Sequence, residues 1–191
     1  LVHTDQPNPT ELFQIWLNLP AKSKMVEPHF TMFWHEDIAH VHAQDALGKT
    51  TDVACVAGSV GDASGLPPPP DSWASQADAD LAIWTIKMQP GARWTLPAAK
   101  GQGTRRMLYF FKGSGLNIAG QAVPPSSAAE LAAGVDAELV CGNDVTELLV
   151  LQGRPINEPV AQYGPFVMNT QAEIVQAIDD FNSGRFGEIA R

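Results

Sequence analysis

The sequence predicts an all-β jelly roll closed by one C-terminal α-helix, and three observations carry that prediction. Short apolar runs recur between residues 51 and 152, separated by Gly- and Pro-bearing turns at intervals of about ten residues. Runs such as LAIWTIKM at 81–88 alternate in side-chain character, which sends one set of residues to a core and the other to the opposite face. A clear helical period appears at the end, where Thr170 and Glu173 form the pattern of a capping box. Ile174, Ala177, Ile178 and Phe181 then share one helix face, with Gly184 placed to stop the helix.

The elements follow in order. The opening LVHTDQPNPT is turn-rich, and its PNP continues neither a helix nor a central strand. Residues 12–19 (LFQIWLNL) alternate only partly and are expected to form a strand buried on much of both faces. Residues 30–34 (FTMFW) read as a strand, followed by a short piece at 40–44 and the β-branched run TDVACVAGSV at 51–60. GDASGLPPPPD at 61–71 is expected to be a rigid loop, because four successive prolines hold an extended backbone and offer no N–H donor; a ligand for a proline-recognising domain is the rival reading. The strand at 81–88 turns through Gln89-Pro90-Gly91 into 92–96. RMLYFF at 106–111 turns at Gly113-Ser114-Gly115 and continues as 116–123; short pieces at 129–131 and 137–141 precede TELLVLQ at 146–152. On the final helix, Glu173, Gln176, Asp179 and Asp180 are assigned to the solvated side.

Composition narrows the function classes. A chain of 191 residues with 45% hydrophobic content builds a core without staples, burying on the order of 70% of its unfolded surface. Net charge of −9, with scattered acids, argues against direct binding to nucleic acid, whose phosphates are neutralised by Lys and Arg. No run approaches the ~20 apolar residues of a membrane span, and the first residues lack a signal-peptide pattern. Cys55 and Cys141 lie in apolar strand contexts and are read as reduced, buried thiols. The expected setting is the cytoplasm, or the nucleus in a eukaryote, with no membrane partner.

Two long stretches resemble signatures of the pirin family: ELFQIWLNLPAKSKMVEPHF at 11–30 is similar to its mid-chain signature and GRPINEPVAQYGPFVMNTQAEIVQAIDDF at 153–181 to its C-terminal one. The resemblance implies a cupin, a double-stranded β-helix jelly roll, over 22–168. Residues 1–21 would then be a linker and bridging strand from an N-terminal cupin absent from this chain, and 169–191 the closing helix and tail. It also implies that iron belongs to that N-terminal cupin, with no cofactor in this chain. Pirins are associated with iron-dependent cleavage of quercetin and with regulatory binding to transcriptional or metabolic proteins.

Metal-binding cupins place two His one residue apart, then a carboxylate, then a further His; residues i and i+2 of a strand share a face, so both imidazoles enter the barrel. Counting from Gly91 and Gly113 puts Pro97 and Ala99 at the His pair and Arg106 near the carboxylate; counting from Gly134 puts Ala137 at the last His, with Cys141 following. Every His precedes residue 43, so an internal three-His site is excluded. The surface candidates that remain are His40 and His42 on one strand face with Asp45, and His3, which the register of PNPTELFQIW places in a loop; all are read as solvated surface.

Arg105 and Arg106 are candidates for holding an anionic ligand at the barrel mouth, since guanidinium pairs bidentately with carboxylates, and Trp94 is a candidate for stacking on it, with Trp84 and Trp73 as further aromatics. The rival reading is one Arg facing solvent and one pairing internally, with the Trp rings in the core. No serine-hydrolase order, Walker loop or dinucleotide fingerprint is present. The expected role is therefore a metal-free structural and interaction half of a two-cupin protein, the alternative being part of an iron-dependent quercetin 2,3-dioxygenase-like enzyme. An uncovered strand at 12–19 also predicts a homodimer or swapped assembly.

Overall fold

Strand alternation decides what enters the core. The computed structural model describes residues 4–186. Its strands are β1 (Ala39–Gln44), β2 (Thr50–Ala57), β3 (Ser59–Val60), β4 (Ala63–Ser64), β5 (Ala82–Met88), β6 (Arg93–Leu96), β7 (Arg105–Lys112), β8 (Leu116–Ile118), β9 (Gln121–Val123), β10 (Ser127–Leu131), β11 (Ala137–Cys141), β12 (Thr146–Gly153), β13 (Ala161–Tyr163) and β14 (Phe166–Met168), followed by helix α1 (Gln171–Asn182). A six-stranded antiparallel sheet runs β1-β2-β5-β12-β7-β10, and a four-stranded sheet runs β6-β11-β8-β9. These are the two faces of the jelly roll.

Register aligns the inward residues of the large sheet across strands: Val53 opposes Ile86, Cys55 opposes Trp84, Leu148 opposes Ile86 and Phe110, and Val150 opposes Trp84 and Leu108. Leu96, Leu116, Ile118, Leu139 and Cys141 of the smaller sheet close the core from the other side. Each fully buried Leu, Ile or Phe contributes roughly 1.5–3 kcal/mol.

Four expectations are corrected. Residues 12–19 form no strand: Leu12 is 82% and Trp16 57% exposed. An extended chain becomes a strand only beside a partner offering backbone groups. This segment crosses the outer face of the large sheet instead of joining an edge, with Phe13 edge-on to Phe111 at 4.8 Å and Lys24 Nζ reaching the Val167 carbonyl at 2.9 Å. Residues 30–34 are likewise extended without a ladder and run into a 3₁₀ turn, His35–Asp37. The single run 116–123 is a hairpin, β8-β9, because Ala119 (φ 47°) and Gly120 (φ 83°) make a turn with both central residues left-handed. The 61–71 loop contributes β4, paired with β3, before its prolines.

Helix α1 carries the capping box as expected: the Glu173 amide donates to Thr170 Oγ1 at 3.3 Å and the Thr170 amide to Glu173 Oε2 at 2.7 Å. Its faces are rotated from expectation at the C-terminal end. Asp180 is buried, accepting from Gln176 Nε2 at 2.9 Å and Arg185 Nη1 at 3.1 Å. Phe181 is 61% exposed and meets Phe166 and Phe186 edge-on. The helix packs on the small β13-β14 hairpin, which is too narrow to cover Phe181.

The Thr170 hydroxyl is the main cause holding the Glu173 carboxyl below the usual range, aided by backbone N–H groups and Lys24. A carboxyl lowered on folding adds stability above its unfolded pKa and loses it as pH falls through the lowered value. Thr170→Ala is expected to cost ~1 kcal/mol at neutral pH, and less in acid. Urea unfolding of wild type and variant across pH checks this; a cost independent of pH would contradict the reciprocal cap.

Candidate functional site

The barrel interior is where cupin chemistry would sit. Arg106, on β7, points inward and is 1% exposed. Its Nε donates to Gln152 Oε1 at 2.8 Å, its Nη2 donates to the same oxygen, and its Nη1 donates to the Pro97 carbonyl at 2.7 Å. Gln152, opposite Arg106 on β12, passes the network on by donating from Nε2 to the Asp80 carbonyl at 3.0 Å. The guanidinium lies over the ring of Trp84, 5.9 Å from its centroid. Burial lowers the Arg106 pKa, while the charges of Asp80 and Asp136 oppose that shift.

Loops seal this end of the barrel. Ala98 N donates to Asp136 Oδ1 at 2.7 Å, Ala99 N to the Ala133 carbonyl at 2.6 Å, and both Gly101 N and Thr104 Oγ1 to Asp80 Oδ2 at 2.8 and 2.7 Å. Pro97 and Ala99 thus serve the lid, Ala137 is a buried wall residue, and the Cys141 thiol meets Thr146 Oγ1 and the Asp144 carbonyl at 3.1 Å. A fixed guanidinium repels a cation where a ligand set needs a carboxylate, and the other motif positions offer no imidazole. The residues present do not fit iron, and among the described residues no group of three or more His, Cys, Asp or Glu is arranged to hold a metal.

The remaining sequence candidates are dispersed. Arg105 is exposed at the start of β7, opposite Gly153. Trp94 sits half-buried on β6 against the core, so that Trp84, not Trp94, underlies Arg106. Trp73 donates Nε1–H to the Arg154 carbonyl at 2.9 Å and is locked in a surface turn. His3 lies outside the described residues.

His40 and His42 do share the outer face of β1, but Asp45 is not their partner. Asp45 folds its own turn, accepting from the backbone N–H of Leu47, Lys49 and Arg93, which hold its carboxyl below the usual range, the Lys49 contact foremost. The carboxylate between the two imidazoles is Asp52, at 2.8 Å from His40 Nδ1 and 2.5 Å from His42 Nδ1. Sequence reasoning missed Asp52 and Gln152. Both were findable by parity: Asp52 precedes inward Val53 and so faces out, while Gln152 follows Leu148 and Val150 inward at two-residue steps. Beside His40 the outer face opens a cleft of about 240 Å³ between β1, β2, β5 and the crossing N-terminal segment.

A family model described as the pirin C-terminal cupin domain matches residues 83–187. The chain belongs to the pirin family. Human pirin is 32% identical over 195 residues, covering 98% of this chain and 62% of its own length. A pirin-like protein of Caulobacter vibrioides is 32% identical over 190 residues, covering 97% of this chain and 64% of its own. Among solved structures, a quercetin 2,3-dioxygenase from Acinetobacter baumannii superposes with a TM-score of 0.73 at 32% identity, covering 92% of this chain and 56% of that one. This pirin-family chain therefore spans less than two thirds of the length of these relatives. Its β-rich architecture with one C-terminal helix is the cupin fold expected from the sequence.

Proposed function

We propose that this chain is the metal-free C-terminal cupin of a two-cupin pirin-like protein, acting as its structural and interaction half. Residues 22–168 then form the barrel, 169–191 the closing helix and tail, and 1–21 the linker to an N-terminal, iron-bearing cupin. The observation that supports this reading is the Arg106–Gln152–Pro97 network, which holds a buried guanidinium inside the barrel.

The crossing segment supports the interaction half. Of the nineteen large hydrophobic residues exposed among the described residues, ten fall between residues 12 and 34. Contiguous exposed apolar surface of this kind marks an interface. Its occupant in the full-length protein is the N-terminal cupin; in this chain alone, a second copy takes its place. A transcriptional or metabolic regulator in the cytoplasm is the kind of further partner that the family resemblance implies.

The second reading, part of a quercetin 2,3-dioxygenase-like enzyme, is favoured by the Acinetobacter baumannii match. In that reading, too, iron and chemistry lie in the N-terminal cupin, and no catalytic residue is assigned here. Elemental analysis of the untagged 191-residue chain should find iron, zinc, manganese and nickel well below one per chain, with no quercetin-dependent oxygen uptake and a dimeric mass by light scattering. One iron per chain with turnover overturns the metal-free barrel. A monomer at high concentration removes self-association.

A further inference from the structure

The outer-face cleft is separate from the barrel. Its floor is apolar, with Ile38, Val56 and Phe111, and its rim is charged. On that rim, Glu147 meets two lysines, Lys112 at 2.7 Å and Lys87 at 3.7 Å, and this group alone carries one positive charge. Asp52 is different: its partners are two imidazoles, and Glu11 adds a further carboxylate from the crossing segment.

The Asp52 carboxylate can only accept, so His40 and His42 each donate Nδ1–H to it, one to each oxygen. Around the cleft, three carboxylates, Asp52, Glu11 and Glu147, thus face two lysines, Lys87 and Lys112, a balance of one negative charge beside the apolar floor. A bare metal ion would leave that floor unused. An anion would meet three carboxylates against two lysines that already engage Glu147. A neutral apolar molecule would bring no donor to the Asp52 and Glu11 carboxylates.

We infer that this cleft binds a small organic amine, with its ammonium donating to the Asp52 and Glu11 carboxylates and its hydrocarbon body resting on Ile38, Val56 and Phe111. The charge-assisted bonds at the rim set the sign of the preference, and the floor supplies the burial. The site stands independently of whether the barrel is metal-free.

The test is an amide NMR titration of the full chain with three probes of similar size: phenethylamine, phenethyl alcohol and phenylacetate. Phenethylamine should give saturable shifts on β1, β2 and β5, bind about tenfold more tightly than the alcohol, and lose this advantage in high salt. Phenylacetate should bind weakest. Asp52→Asn should weaken the amine about tenfold and leave the alcohol unchanged. Glu11→Gln, on a segment outside every ladder, should weaken the amine by a smaller factor and guards against a folding defect in the first variant. Absent or scattered shifts, equal affinity for amine and alcohol, a preference for phenylacetate, or indifference to both substitutions would each overturn the inference.

Discussion

Gln152→Ala is expected to destabilise the protein by ~3–5 kcal/mol, although it removes a neutral side chain. Gln152 Oε1 takes two of the three hydrogen bonds that satisfy the buried Arg106 guanidinium, and Nε2 ties the pair to the Asp80 backbone. Without it, a charge at 1% exposure keeps only the Pro97 carbonyl as acceptor. Arg106→Met should cost less, ~1–3 kcal/mol, because it removes the charge and leaves two neutral acceptors, Gln152 Oε1 and the Pro97 carbonyl, without this donor. The double variant should then cost less than the two single costs added together, since each residue's penalty derives from the other. Urea unfolding at neutral pH measures all three; a Gln152→Ala cost near that of a surface substitution would mean that water or loop movement satisfies the guanidinium.

Gly58→Ala is expected to cost ~2–5 kcal/mol, from left-handed backbone strain plus overpacking. Gly58 has φ +78°, and a Cβ there would lie 2.2 Å from the Leu81 carbonyl oxygen, a rigid backbone group. Its own carbonyl accepts from Gly65 N at 2.8 Å, so the main chain is held on both sides. Gly91→Ala is the control: φ is +75° but a Cβ meets nothing within 4 Å, leaving the strain alone at ~1–2 kcal/mol. For a chain of this size each kcal/mol shifts the midpoint by about 2–4 °C, so thermal melts separate the two variants. Equal shifts would show that the Gly58 approach relaxes without cost.

What was legible from residues alone follows from the range of each signal. Two-residue alternation is local, and it located β5, β7, β11 and β12; the Thr170–Glu173 pair is local, and it located the helix start. Arg106 enters the barrel because strand parity alternates the side chains of β7 between the two faces. Residues 12–19 have the same local pattern as a strand, but pairing depends on a neighbour elsewhere, which alternation does not report. Parity gives the face of Asp52 but not its partner: His42 meets it only through the β1-β2 register, whereas Asp45 is close in sequence and spends its oxygens on its own turn. The buried Asp180 takes its donors from Gln176 on its own helix and from Arg185 beyond the helix end, pairs that the helical period of apolar residues does not report.

The placement of β12 bears on how the molecule is made. It lies in the middle of the large sheet, between β5 and β7, yet is among the later strands to leave the ribosome. Until residues 146–153 emerge, both β5 and β7 present unpaired edges bearing Trp84, Ile86, Leu108 and Phe110, and the nascent chain has no way to join its two halves. Such edges attract other unfolded chains. Translation arrested before Thr146 would yield a sticky product without a sheet centre, and the interval before β12 appears is when this protein most depends on chaperones.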